Sequence, residues 1–346
     1  MLRLFGGRAE GSGAPDLLHQ LHQPAAVLGV GLVELARVVR RLAGVDHGGQ
    51  VRLDGDALGS ELALYLMLKD LGKEAVIYNQ DPTPDHYRFL PAAAHIVHEL
   101  DDIETYDVGF VLDCSELDRV GKISGEVVKI KTLINIDHHV SNGGFCQLRI
   151  LDPKASSTGE LLYRLMREMR VKMTKDICTN LYAAILTDTG GFRYSSTHQD
   201  TLWAAGDLVE GGADPQWISE NIYESDPPAK LLLLSRVLQT LTLDLENKTA
   251  SMVVTNRHLQ DTGARMEHTD GFIDIPRTVK GIDIAMLYTQ MGEKQYKLSL
   301  RSKGRVNVET IARKFGGGGH LNAAACRMEG DIEEIQSRVM EAVKAL

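Results

Sequence analysis

Four short motifs carry the residues most able to do chemistry together. They are Asp54-Gly55-Asp56-Ala57-Leu58-Gly59-Ser60, Asp113 after Gly109-Phe110-Val111-Leu112, Asp137-His138-His139 after Thr132 to Ile136, and Asp188 in Leu186-Thr187-Asp188-Thr189-Gly190-Gly191. Each is read as standing at the end of a strand, on one edge of one sheet. Taken singly, each has an ordinary use. Asp-Gly-Asp and Asp-Thr-Gly serve as turns, Asp113 could cap a helix, and His138-His139 could be a satisfied core pair. Taken together, they gather several carboxylates that repel one another unless cations lie among them. Carboxylate oxygens with an imidazole suit Mn2+ or Mg2+ better than a thiolate-loving metal. The chemistry expected is two-metal hydrolysis, with a bridging hydroxide as nucleophile and the metals stabilising phosphoryl oxygens.

A second cluster lies near the C-terminus. Arg301, Lys303, Arg305, Arg313 and Lys314 face only Glu309 in residues 301–320, which end in Phe315-Gly316-Gly317-Gly318-Gly319-His320. Consecutive glycines can expose backbone N–H groups and let a phosphate or nucleotide approach closely. His320 and Arg301 can add donors. The same residues would also make a flexible hairpin with a solvated basic face.

The elements that must position these residues read as alternating strands and helices. Strands are expected at Ala75 to Tyr78, Val108 to Leu112 and Thr132 to Ile136. Helices are expected from Ala57 to a C-cap at Gly72, at Thr158 to Met169 and at Lys175 to Thr187. Leu17 to Ala43 has helical spacing, whereas Gly44 to Gly49 makes a poor strand before Asp54. Such alternation predicts an α/β fold with a parallel sheet. After helices at Thr201 to Val209 and Gln216 to Tyr223, Asp226-Pro227-Pro228 breaks the chain. Ala229 to Thr240 suits a connecting helix. Strands at Thr249 to Val254, Ile282 to Tyr288 and Tyr296 to Ser302, with helices at Arg305 to Lys314 and Ile332 to Ala345, predict a smaller α/β domain. The expected division is 1–228, with 1–16 loose, then 229–240 as linker helix and 241–346, with the active site in the cleft between the domains.

Composition narrows the partners. A chain of 346 residues with 43% hydrophobic and 25% charged residues is neither disordered nor a disulfide scaffold. Its net charge of −9 argues against a broad face for duplex nucleic acid, and its 5% aromatic content against a long single-strand stacking channel. Cys114, Cys146, Cys178 and Cys326 have no metal-binding spacing and suit a reducing compartment. With no signal-peptide pattern and no membrane-spanning run, a cytoplasmic protein is expected.

The order of these motifs resembles the DHH phosphoesterase superfamily. Asn142 and Phe145 also match it, and Phe315 to Ala324 is similar to the glycine-rich signature of the DHH-associated C-terminal domain. Length and layout are most similar to the oligoribonuclease and pAp-phosphatase (nano-RNase) branch. The resemblance implies that Asp54 binds one metal and Asp56 the other, that Asp113 and Asp188 bridge or contact both, and that His138 ligates the second. It puts His139 beside the scissile phosphate, with Asp137 orienting the histidines. Asn142, Arg193, Arg301, Gly317, Gly318, Gly319 and His320 would meet substrate. Two Mn2+ (or Mg2+) ions per site are implied.

Where the family places a histidine and a proline before the first aspartate, this chain has Gln50 and Leu53. His47 lies at an odd offset and would point the other way on an extended strand. The expected substrates are 3′-phosphoadenosine 5′-phosphate, short single-stranded oligoribonucleotides and dinucleotides, including those from cyclic dinucleotides. Alternatives are a RecJ-like single-strand exonuclease and, because of Gln50, a nucleotide-binding homologue with weak or no catalysis. A homodimer is compatible with the sequence.

Overall fold

The computed structural model describes residues 39–43, 53–100, 103–304 and 306–346, with the side chains of 39–43, 104 and 320 outside the description. The leader at 1–16, the segment 44–49, His47, Gln50 and Arg305 therefore lie outside the described residues. The chain forms two compact units, Met1–Ser225 and Asp226–Leu346.

The first unit is built on strands β1 (Val39–Ala43), β2 (Ala75–Tyr78), β3 (Ile96–Val97), β4 (Val108–Leu112), β5 (Thr132–Asp137) and β6 (Leu148–Leu151). They pair in the order β3-β2-β1-β4-β5-β6, and every pairing is parallel. The main helices are α1 (Gly55–Asp70), α2 (Thr158–Glu168), α3 (Lys175–Asp188), α4 (Gln199–Glu210) and α5 (Pro215–Tyr223). A parallel sheet needs cover on both faces, and its side chains alternate accordingly. Phe110, Leu112, Ile134 and Ile136 join a core with Leu58, Leu62 and Leu181, whereas Val111 and Leu133 pack with Val120, Val127 and Ile130. This strand order reverses direction between β1 and β4, and sheets of this kind bind ligands beyond the strand C-termini at such a point.

The second unit holds α6 (Pro228–Leu238), β7 (Thr242–Asp244), β8 (Thr249–Val254), β9 (Ile284–Gly292), β10 (Gln295–Ser302), α7 (Glu309–Lys314), β11 (Gly318–His320), β12 (Ala323–Glu329) and α8 (Ile332–Lys344). Its sheet runs β11-β12-β10-β9-β8-β7, antiparallel except for β8 with β9. Met286 and Tyr288 pack with Ile311 and Val339, and Ala285 and Leu287 pack with Leu233, Val237 and Phe272. The α/β reading thus holds for both units: a parallel sheet first, then a separate mixed sheet.

Three local expectations are corrected. Val39–Ala43 is a strand rather than the end of a helix, because pairing with both β2 and β4 overrides helical spacing. The helix expected from Arg305 starts only at Glu309, after Val306 to Val308. In place of the flexible hairpin that the polyglycine stretch also allowed, Gly318, Gly319 and His320 pair with Ala325, Ala324 and Ala323.

A carboxylate–histidine centre at the sheet edge

Glycine brings three helix ends together. A side chain at Gly59 would overlap the Asn180 carbonyl, and one at Gly55 would lie 2.5 Å from the Thr187 side chain. Across the same helix, a Cβ at Gly159 would lie 2.5 Å from Ala184 Cβ. The N-termini of α1 and α2 and the C-terminus of α3 therefore meet with no room for a methyl group. Asp188 is the last residue of α3 rather than the end of a strand. That corrects its expected placement: the helical run continues through Thr187-Asp188, and the Gly190-Gly191 turn follows it. A carboxylate at a helix C-terminus is electrostatically unfavourable, a first sign that a cation belongs there.

Each carboxylate is held by named donors. Asp54 caps α1, its Oδ1 accepting the Ala57 N–H at 2.9 Å. Asp56 accepts the N–H groups of Thr158 at 2.7 Å and Gly159 at 2.9 Å, both free at the start of α2, and the Ser60 hydroxyl at 3.2 Å. Asp113 follows β4 with φ +52°, a left-handed conformation rare outside glycine. Its N–H donates to Ile136 O at 3.0 Å, and its Oδ1 accepts the Thr158 hydroxyl at 2.9 Å.

The histidines complete the centre. His138 Nδ1 faces the Ala155 carbonyl at 3.4 Å, which can only accept, so Nδ1 is the donor of that pair and Nε2 is turned inward. Nε2 lies 3.3 Å from Asp188 Oδ2 and 3.7 Å from both Asp56 Oδ2 and Asp113 Oδ1. His139 Nδ1 donates to buried Asp137 Oδ1 at 2.6 Å and stands 3.7 Å from Asp113 Oδ1. Asn142 braces that pair from behind, giving its amide to Asp137 Oδ2 at 2.6 Å, Asn135 Oδ1 at 2.7 Å and Cys114 O at 3.2 Å.

Titration follows from this crowding. Asp54 keeps an open side to solvent but is crowded enough that lost solvation, with the charges of Asp113 and Asp188, pushes it up to about 7. Burial and then the Asp113, Asp188 and Asp54 charges raise Asp56 well above the carboxylate range. Burial raises Asp188 to about 6, with His138 opposing and Asp113 adding. Burial also works against charge on Asp137, but hydrogen bonds from His139 and Asn142 hold it below its ordinary value. For His139, burial is outweighed by the Asp137 bond and the Asp113 charge, and the imidazole is pushed up to about 9.

Two sets of donors, Asp113-His138-His139 and Asp56-His138-Asp188, keep their ligand atoms within 4.8 Å of one another and could each hold a metal ion. The donor chemistry fits a hard divalent cation, because oxygens predominate and cationic charge would relieve the repulsion that raises Asp56 and Asp188. Asp54 stands beside these sets and belongs to neither. Arg193 lies on the turn after α3, its Nε donating to Gly190 O at 2.5 Å. Arg301, Gly317, Gly318, Gly319 and His320 belong to the second unit.

The sequence pattern of the DHH family, N-terminal domain, matches residues 48–185, and that of the DHHA1 domain matches residues 248–345. A bifunctional oligoribonuclease and PAP phosphatase of Thermus thermophilus is 34% identical over 292 residues, covering 84% of this chain and 86% of that protein. The chain belongs to the DHH family. A protein of the same description from Bacillus subtilis is 27% identical over 83% of this chain and 90% of its own length. The crystal structure of an exopolyphosphatase-related protein from Bacteroides fragilis superposes with a TM-score of 0.81 at 28% identity, covering 89% of this chain and 91% of that one.

In this DHH phosphoesterase the sequence reading missed Ala155, Thr158 and Gly159, which hold His138, Asp56 and Asp113. Ser157-Thr158-Gly159-Glu160 has the spacing of a helix-start box, and Ser157 does accept the Glu160 N–H at 3.0 Å. That signal marks a helix N-terminus with unpaired N–H groups, but not the carboxylate that takes them.

Proposed function

We propose that this chain hydrolyses phosphoesters of short oligoribonucleotides, dinucleotides and 3′-phosphoadenosine 5′-phosphate, using two Mn2+ (or Mg2+) ions. The observation carrying this reading is His138 Nε2, which faces Asp56, Asp113 and Asp188 at 3.3–3.7 Å. The similarity to proteins described as oligoribonuclease and PAP phosphatase supports the substrate class. Asp56, His138 and Asp188 would hold one ion, and Asp113 the other, with Asp54 completing the shell from the open side. Divalent ions, when bound, supply charge that stabilises phosphoryl oxygens and acidifies water.

The chain's own groups do the rest. Asp137 keeps a proton on His139 Nδ1 and fixes the ring, so the imidazole is held beside the carboxylates where a phosphate oxygen would lie. Arg193 would add positive charge next to Asp188, and Asn142 holds Asp137 in place rather than facing substrate. In the second unit, Arg301, His320 and the backbone at Gly317 to Gly319 would bind nucleotide phosphate, supplying positioning energy.

Four free cysteines support a reducing, cytosolic setting. Among the described residues no helix is long and apolar enough to cross a membrane.

The test is turnover of pAp and of a diribonucleotide with and without Mn2+. Mn2+-dependent release of phosphate and mononucleotide is expected. Absence of turnover by a folded, metal-binding protein would overturn the reading.

A further inference from the structure

One stretch of five residues, 155–159, holds three of the metal-facing side chains. Ala155 O accepts from His138 Nδ1, and the Thr158 and Gly159 N–H groups hold Asp56. Thr158, fully buried, does a second thing: its hydroxyl donates to Asp113 Oδ1 at 2.9 Å. That same oxygen lies 3.7 Å from His138 Nε2 and 3.7 Å from His139 Nδ1. It is therefore the oxygen of Asp113 that faces both histidines. By donating to it, the hydroxyl engages one lone pair and fixes the carboxylate torsion, leaving the rest of that oxygen directed at the histidines.

The stretch is itself anchored. Buried Glu160 accepts the Ser156 N–H at 3.0 Å, the Ser156 hydroxyl at 2.5 Å and the Thr201 hydroxyl at 2.8 Å, and it pairs with Arg164. Thr158 is thus attached to a rigid base, while Asp113 sits on a backbone of positive φ just past β4.

Resting on the metal-dependent reading above, we propose that Thr158 is a positioning residue of the centre. Its hydroxyl orients the Asp113 carboxylate toward His138 and His139 as a metal ligand, while its backbone N–H sets Asp56 independently. An outer partner of this kind acts through the ligand it orients.

Two variants separate the hydroxyl from the rest of the residue. Thr158→Val keeps the shape and the N–H to Asp56 but removes the hydroxyl, whereas Thr158→Ser keeps the hydroxyl. Mn2+ titration calorimetry on the metal-free full chain should show Thr158→Val binding about 10- to 100-fold more weakly, the range for removing a partner that orients a ligand. Turnover of a diribonucleotide should fall through kcat with KM little changed, and excess Mn2+ should recover part of it. Thr158→Ser should restore the wild-type isotherm. If Thr158→Val folds poorly, Thr158→Ala makes the same comparison with less crowding.

Identical Mn2+ isotherms for wild type and the hydroxyl-free variants would overturn the proposal, whatever happens to activity. So would a Thr158→Ser protein as weak as Thr158→Val, because the methyl group rather than the hydroxyl would then matter. A wild-type chain that binds Mn2+ but turns over no dinucleotide would sink the proposed function instead, and the isotherms would still decide the role of Thr158.

Discussion

The glycines of the first motif and those of the last look alike in sequence and share more packing work than ligand work. Gly55 and Gly59 are absent side chains: they let α1 close on α3, so that Asp56 and Asp188 reach the same histidine. In the second unit Gly317 and Gly319 do a related job, since a Cβ at either would overlap backbone of β12. Gly316 takes φ +74° in the turn before β11. Only Gly318 of the four has nothing within 4 Å of an added Cβ and no positive φ. Much of a signature that reads as a phosphate cradle is thus required by packing and backbone conformation. A ligand role there rests on Gly318 and on the open side of an edge strand, whereas the first unit has a named partner for each carboxylate.

That contrast can be broken or sharpened experimentally. The largest effect belongs to the first unit. Asp113→Ala or Asp188→Ala should lower activity and Mn2+ affinity by more than about 100-fold, beyond the range for outer partners. Asp118→Ala, on an exposed turn five residues past Asp113, should match wild type. Equal losses at Asp118 would show the centre to be misplaced.

Next come the packed glycines. Gly59→Ala and Gly317→Ala should each cost about 1–3 kcal/mol by overpacking, read as a lower denaturation midpoint. Gly318→Ala should stay within about 0.5 kcal/mol of wild type while raising KM for pAp. A Gly318→Ala protein that melts as early as Gly317→Ala would erase the distinction between the four glycines.

The smallest effect is the pH dependence of the metal-free chain. Asp54 and Asp188 titrate folded at about 7 and about 6, above their ordinary 3.8, so the folded state binds protons more tightly and loses stability as pH climbs through that interval. His139, raised from 6.5 to about 9, contributes stability that is complete below 6.5 and lost as pH rises through about 9. Both signs agree: the metal-free melting temperature should fall between about pH 5 and pH 9, and Mn2+ should reduce the fall. A rise over that range would contradict the crowding of these groups.

Much of the first unit was legible because its signals are local and strong. Strands β2 and β4 and helices α2 and α3 follow apolar runs and caps to within a residue or so. Strand β1 was not, because Arg40 and Arg41 interrupt any apolar alternation and the strand exists through its two neighbours. Strand β11 is nearly all glycine, which carries no strand propensity, and only its ladder with β12 makes it one. The convergence of Asp56, Asp113, His138 and Asp188 could be anticipated from residue type and order. Thr158 could not, since a hydroxyl becomes meaningful only once the fold shows which carboxylate lies opposite it.

The Asp56 carboxylate is gripped by amides 102 and 103 residues further along the chain. During synthesis, then, the first motif waits: Asp56 has only the Ser60 hydroxyl four residues on until α2 has emerged, and the set is incomplete until Asp188 follows. Closing loops of that length is slow compared with forming a helix. The centre therefore matures late, once the parallel sheet and the helices across it have formed.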